Sequence, residues 1–342
     1  MEILSCSDHD IEKAAAALKA GGLVAFPTET VYGLGADAFN VSALARIFEA
    51  KNRPRFDPLI IHIAEMDALD RIVDVAALGS LARERLSLLS EKFWPGPLTL
   101  VLPKRKEVPD LATAGLSTVA VRFPSHQAAQ KLIRLSSGAV AAPSANPFGC
   151  LSPTRASHVR DQLGEKVDFI IEGGRTQVGI ESTVMDISAE KPAILRPGGV
   201  SREAVEAVIG HVELRSEYET PAGTGGVGQM SPGQLKSHYA PRTHLVLYKN
   251  GELALLPYTP GEGRLCFSPP AHSSANTLVL SQNGYLFEAA ANLFDMLHEL
   301  DRLDLSLIRA EEAPDYGLGL AINDRLRRGV TAKNGVNYAF PD

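Results

Sequence analysis

Cysteine is scarce in this chain: three residues in 342, Cys6, Cys150 and Cys266. They are too few and too scattered for a disulfide framework or a tetrathiolate metal site, which fits a reducing, cytoplasmic setting. Aromatic residues make up 6% of the sequence with one tryptophan, Trp94, so there is no aromatic array on which bases could stack. Positive charge is not in excess either. Lys and Arg total 34 against 40 Asp and Glu, a net charge of −6, which argues against a globally basic nucleic-acid binder while leaving room for a local basic cleft. No apolar run approaches the roughly 20 residues that span a bilayer, and MEILSCSDHDIEKAAAALKAGG lacks the basic-then-apolar layout of a signal segment. A soluble cytoplasmic protein with no membrane contact is expected.

What is present is apolar patterning, 45% hydrophobic residues, and a length that favours two domains. The informative stretch runs from Gly21 to Ile63. Leu23 to Phe26 reads as a buried strand closed by Pro27, which restricts Phe26 and its own φ, so Thr28, Glu29, Thr30 and Tyr32 leave the strand end in a tight turn. Gly33 and Gly35 would let backbone amides come close to a ligand. Asn40 caps a helix with Val41, Leu44, Ile47 and Phe48 on its apolar face, and that helix delivers Lys51, Arg53 and Arg55 at a turn forced by Pro54. The cluster reads as an anion site or as cations suited to a helix C-terminus. His62, alternating within Leu59 to Ile63, faces a cleft or packs structurally.

The pattern of strands ending in polar groups recurs. Asp8 or Asp10 opens a first helix ending at Lys19, and residues 67–92 carry helical periodicity. Leu98 to Leu102 and Thr118 to Arg122 read as strands; Arg122 is a carboxylate or phosphate clamp or an internal ion-pair partner. Trp94 reads as a packing anchor. Ala139 to Ala142 leads into the rigid turn Pro143-Ser144-Ala145-Asn146-Pro147, where no Gly-x-Ser-x-Gly context makes Ser144 a nucleophile. Ser152-Pro153-Thr154 follows, with Thr154 as a cap for a helix carrying His158. Val167 to Ile171, the Gly179–Val184 segment and Leu195-Arg196 complete an α/β unit whose strand ends line one cleft.

Residues 1–209 are therefore expected to form the first domain and 210–243 a Gly- and Pro-rich linker carrying Lys236, His238 and Tyr239. Residues 244–342 form a smaller α/β domain. Its strands are expected at His244 to Tyr248, Arg264 to Phe267 and Thr277 to Leu280, and its helices at Leu286 to Leu300 and Leu318 to Arg328.

Eight motifs in order, PTETVYGLG (27–35), KNRP with PLIIH (51–62), FWPGPLTL (93–100), VRFP (121–124), PSAN with SPT (143–154), GIESTV (179–184), RPG (196–198) and SPGQLKSHYAP (231–241), resemble the YrdC-like L-threonylcarbamoyl-AMP synthases in their longer form. The resemblance implies a YrdC-like α/β domain with a twisted mixed sheet and flanking helices, plus the C-terminal α/β domain. It implies a nucleotidyltransferase that joins L-threonine, bicarbonate or CO2 and ATP, with Mg2+ accompanying ATP, and that passes its product to a tRNA threonylcarbamoyl transferase; tRNA itself would be at most a weak ligand. Threonine is then expected at Thr30, His62, Arg122 and Ser182, with Ala142 beside them. ATP is expected at Arg53, Asp57, Thr118, Ser144, Ser152, Arg196 and Tyr239, and Lys51, Arg53, Ser144 and Asn146 are the candidate catalytic set. The linker would be a lid bringing Tyr239 over the nucleotide. Asp57 and Phe148 depart from the family pattern. The competing readings are an RNA-binding module of the same fold and another carbamoylation enzyme using ATP or carbamoyl phosphate.

Overall fold

The structure, a computed structural model, describes residues 1–215, 238–273 and 275–330. Its first part runs β1 (Glu2–Leu4), α1 (Asp8–Lys19), β2 (Val24–Phe26), β3 (Gly33–Asp37), α2 (Val41–Lys51), β4 (Ile60–Ile63), α3 (Ser80–Phe93), β5 (Leu98–Pro103), α4 (Asp110–Thr113), β6 (Thr118–Arg122), α5 (Gln127–Leu135) and β7 (Ala139–Ala141). It continues with α6 (Ala156–Leu163), β8 (Phe169–Ile171), β9 (Thr183–Asp186), β10 (Ala193–Arg196), α7 (Arg202–Ile209) and β11 (Glu213–Leu214). The second part comprises β12 (Leu245–Tyr248), β13 (Glu262–Cys266), β14 (Thr277–Val279), α8 (Leu286–Asp301), β15 (Leu307–Glu311) and α9 (Gly319–Val330).

The first part is organised by one mixed 11-stranded sheet, ordered β1-β8-β2-β3-β7-β4-β6-β5-β9-β10-β11. Sequence-distant strands become neighbours in it. β4 runs parallel to β6, with His62 beside Arg122, and antiparallel β5 sets Thr99 beside the same arginine. The second part carries a four-stranded sheet, β12-β15-β13-β14, parallel throughout. The expected α/β class and mixed sheet are therefore present.

Local chemistry explains most element ends. Asn40 caps α2 by accepting from the Ala43 N–H at 3.1 Å. α1 is instead capped by Ser7, which accepts from the Asp10 N–H; a hydroxyl just outside the helix does what Asp8 or Asp10 was expected to do. Thr154 is not a cap: α6 starts after Arg155, and the Thr154 hydroxyl lies 3.4 Å from His158 Nδ1. The expected periodic stretch 67–92 divides into two 3-10 turns, Met66–Arg71 and Val75–Ala77, and then α3, which starts after its N-cap Gly79. Val41 sits on the expected apolar face of α2 yet is exposed. β15 was not anticipated. It lies between β12 and β13, although Ile308–Glu311 alternates apolar and charged residues like an edge strand.

The hydrophobic core of the second part is not confined to it. Val31, Leu151, Val178 and Ile180 from loops of the first part pack in one cluster with Leu293, Phe294 and Leu297 of α8. Most of the expected linker, including Lys236, lies outside the described residues; the chain is described again at His238, and Ala240 N–H donates to Gly149 O at 2.8 Å.

Candidate active site

The turn after β2 is built by a hydroxyl. Thr28 Oγ1 donates to Val31 O at 2.6 Å, accepts from the Thr30 and Val31 N–H groups, and lies 2.8 Å from Thr30 Oγ1. This folds 28–31 so that Thr28, Thr30 and Val31 line a cleft. Gly33 lines it too. Gly35 serves packing rather than ligand approach: a Cβ there would meet the Phe26 ring at 2.8 Å and Val140 at 2.9 Å.

His62 and Arg122 reach the same cleft from adjacent parallel strands. The Arg122 guanidinium is ion-paired, donating to Glu29 Oε1 at 2.7 Å, so the internal ion pair considered for it is present while the residue also lines the cleft. Burial, reinforced by the Arg122 charge, pushes His62 down to about 3, leaving a neutral ring. Its Nδ1 lies 3.2 Å from Ile60 O.

Ser144 and Ala142 line the cleft from the turn after β7, which lies beside β3 through a Gly33–Ser144 bridge. Lys51 and Asn146 belong to the support of this turn rather than to its face. Lys51 ends α2 fully buried, with Nζ donating to Ser144 O at 2.5 Å and to Asn146 O, and burial pulls the ammonium well below its ordinary pKa. Asn146 donates to Pro147 O and Cys150 O at 2.9 Å each. The residues singled out as basic and polar near the reacting centre thus divide, with Arg53 and Ser144 on the cleft wall and Lys51 and Asn146 behind it.

Arg53 follows the left-handed Asn52 (φ 52°) and is held by Asp57 O at 3.1 Å, Pro58 O at 2.8 Å and the Asp57 carboxylate at 2.9 Å. Asp57, fully buried, is thus the counter-ion of Arg53 rather than a lining group. Thr118 begins β6 opposite Pro103 and is likewise absent from the lining. Ser182 links two strands: its Oγ lies 2.7 Å from Thr99 Oγ1 and 3.3 Å from Arg196 Nη2, which also donates to Ser182 O at 2.9 Å.

Glu181, His238 and Tyr239 complete the cleft. Ser152, not itself a lining residue, donates its hydroxyl to Glu181 Oε1. Burial raises the Glu181 carboxyl, but Arg325, Arg196 and the Ser152 bond outweigh it and hold the group below the usual carboxylate range. Tyr239 is buried with φ 62°, its ring 4.1 Å from that of His238 and 5.7 Å from Phe294. Phe148, the other departure from the family pattern, meets the His238 ring edge-on at 5.5 Å.

Thr30, Arg53, His62, Arg122, Ala142, Ser144, Ser182, Arg196 and Tyr239 therefore converge, and Lys51, Asp57, Thr118, Asn146 and Ser152 do not line the cleft. Sequence reasoning passed over Glu181 and His238 as site residues although both stand inside motifs it had marked. Arg325 carried no signal, being one arginine among three in a helical pattern. Chemically the cleft offers three buried guanidinium groups against one carboxylate, with hydroxyls between them, which suits a ligand carrying several negative charges.

Known proteins resemble the chain over nearly its whole length. Residues 16–198 match the Sua5/YciO/YrdC family, described as "Telomere recombination", and residues 200–330 match "Threonylcarbamoyl-AMP synthase, C-terminal domain". A threonylcarbamoyl-AMP synthase of Pyrococcus abyssi is 42% identical over 326 residues, 93% of each chain. One from Bacillus subtilis is 40% identical over 341 residues, 96% of this chain and 94% of the other. The crystal structure of P. abyssi Sua5 complexed with L-threonine superposes with a TM-score of 0.85 at 39% identity, covering 96% of this chain and 98% of that one. The chain belongs to the Sua5/YciO/YrdC family, in the form that carries the threonylcarbamoyl-AMP synthase C-terminal domain.

Proposed function

We propose that this cleft makes threonylcarbamoyl-AMP from L-threonine, bicarbonate or CO2 and ATP, releasing pyrophosphate, and that the product serves a separate enzyme modifying adenosine in tRNA. The observation that carries the reading is the convergence of Arg53, Arg122 and Arg196 with Thr30, Ser144 and Ser182 in one buried cleft. The relatives of this length bear the synthase name, and one was solved with L-threonine.

Arg122 offers its fork to the amino-acid carboxylate, with Thr30, neutral His62 and Ser182 around the rest of threonine and Ala142 beside it. The threonine amine, as the free base, forms a C–N bond to CO2 and gives up a proton to solvent, leaving a carbamate. A carbamate oxygen then attacks the α-phosphorus of ATP, forming a P–O bond as the bond to the leaving pyrophosphate breaks. Arg53 and Arg196 offset charge on the phosphates, Ser144 donates to them, and Tyr239 covers the nucleotide. Asp57, Lys51, Asn146 and Ser152 act one layer back by fixing Arg53, the Ser144 turn and Glu181, and Thr118 starts the strand that ends in Arg122. Most of the acceleration comes from holding the two reacting atoms together.

Among the described residues no three His, Cys, Asp or Glu side chains gather as a metal site, and Glu181 is committed to Arg325. These donors do not suit a protein-held magnesium ion; magnesium would arrive on the phosphate oxygens of ATP and on water. Among the described residues no helix is long and apolar enough to cross a membrane.

The test is pyrophosphate release from ATP with threonine and bicarbonate supplied together and singly. Dependence on both is expected. Release without threonine would move the reading to another carbamoylation, and tight, steeply salt-dependent tRNA binding with no release would favour the RNA-binding alternative.

A further inference from the structure

The second domain contributes no side chain of α8, α9 or its sheet to the cleft lining, yet it holds the loop that does. Gly179 (φ +75°) sits so close to α8 that a Cβ would stand 2.5 Å from Ala291 Cα and 2.6 Å from Ala290 O. Two residues on, Glu181 lines the cleft, and its carboxylate receives Arg325 Nε of α9 at 2.9 Å. Arg325 is 1% exposed, and its Nη1 donates to Pro197 O at 2.7 Å, next to Arg196. Its guanidinium carbon lies 5.2 Å from the Tyr239 ring centroid. One buried cation thus touches three pieces of the nucleotide side at once.

A carboxylate is an unexpected group to aim at a cleft that would receive a triphosphate, because two like charges at close range in a poorly solvated site repel strongly. We propose that Arg325 is a positioning residue for ATP: by pairing with Glu181 it cancels the one anionic side chain among the residues lining the cleft. The proposal rests on the synthase reading above. It gives the second domain a role in substrate binding across a separation of 144 positions, with Arg325 touching no substrate.

The charged and titratable groups around Glu181 are Arg325 and Asp324 from α9, Arg196 from β10, Lys51 from α2, and Tyr239, with Ser152 as hydrogen-bond donor. With Arg325 removed, burial still raises the Glu181 carboxyl and is opposed chiefly by Arg196 and the Ser152 bond, so the group should take up a proton more readily as the pH falls and ATP binding should recover in part.

The experiment compares full-length wild type, R325Q, E181Q and R325Q/E181Q by threonine- and bicarbonate-dependent pyrophosphate release at pH 6 and pH 8. R325Q should raise the KM for ATP about tenfold at pH 8 and less at pH 6, with the KM for threonine changed by no more than about twofold. Relative to E181Q, the double variant should lose no more than about threefold and should lack that pH dependence. If R325Q alone fails to fold, the comparison of E181Q with R325Q/E181Q decides, since a tenfold loss there would mean that Arg325 works other than by neutralising Glu181. An unchanged KM for ATP in R325Q, or equal rises for both substrates, overturns the proposal alone. Wild type that releases no threonine-dependent pyrophosphate overturns the synthase reading and the proposal with it.

Discussion

Two buried arginine–glutamate pairs border the cleft with opposite polarity. In Arg122–Glu29, at 2.7 Å, the cation faces the cleft and the carboxylate stands behind it, also accepting from the Ser125 N–H at 3.1 Å. In Arg325–Glu181, at 2.9 Å, the carboxylate faces the cleft and the cation stands behind, on the other domain. The same pair of side chains thus meets the cleft in two ways: the first with its arginine in the lining, the second with its glutamate. Neither pair says much about net stability, because burying both ions costs much of what their attraction returns. What they fix is which sign meets the ligand.

Breaking the first pair should have the largest effect. Arg122→Ala is expected to lower kcat/KM for threonine on the order of a thousandfold, about 4 kcal/mol, because it removes the carboxylate clamp and strands Glu29. The KM for ATP should move far less, as steady-state titration of each substrate would read out; equal losses would contradict the assignment. Disturbing the second pair through its backbone comes next. Gly179→Ala puts a methyl into α8 at a positive φ and should cost about 3 kcal/mol in chemical denaturation. Its residual activity should fall on the ATP side, since the displaced loop carries Glu181.

The neighbour of the first pair gives a pH test of smaller size. His62 stays neutral in the folded protein down to about 3, whereas the unfolded chain takes up the proton near 6.5. Between those values the unfolded state binds more protons, so this stability is complete above the unfolded pKa and is lost as pH falls toward the folded one. His62 should therefore contribute a decline of about 1.4 kcal/mol per pH unit below pH 6, and His62→Gln should flatten the denaturation profile by that amount. The smallest effect should come from an exposed pair at the domain seam. Arg155 pairs with Asp295 at 2.6 Å but its side chain is 46% exposed, so Arg155→Ala should cost no more than about 1 kcal/mol and leave both KM values unchanged.

The hydroxyl turn at Thr28 and Thr30, the strand-end arginines 122 and 196 and the Ser144 turn were legible because each ends or follows a short apolar run stopped by proline, and Ser182 because it stands just before such a run. The alternation that buries a strand also says where its polar side chains emerge. Lys51 was read with Arg53 as one cluster, yet they part: the lysine closes a helix and is spent on carbonyls of the next wall, and only the arginine turns into the cleft. β15 was not among the expected strands although its residues alternate, and its place between β12 and β13 is set by pairing, which alternation does not report.

Composition, periodicity and the residues that stop each strand and helix determined the α/β class and most of the polar groups at one edge of the sheet, since these depend on neighbours a few positions apart. Tertiary structure alone decided that Lys51 lies behind the Ser144 turn and that an arginine of α9 answers a glutamate 144 positions earlier. Such pairings arise where two folded surfaces meet. What selects them is the cost of leaving a buried charge without a partner at that contact, which no local stretch of chain contains.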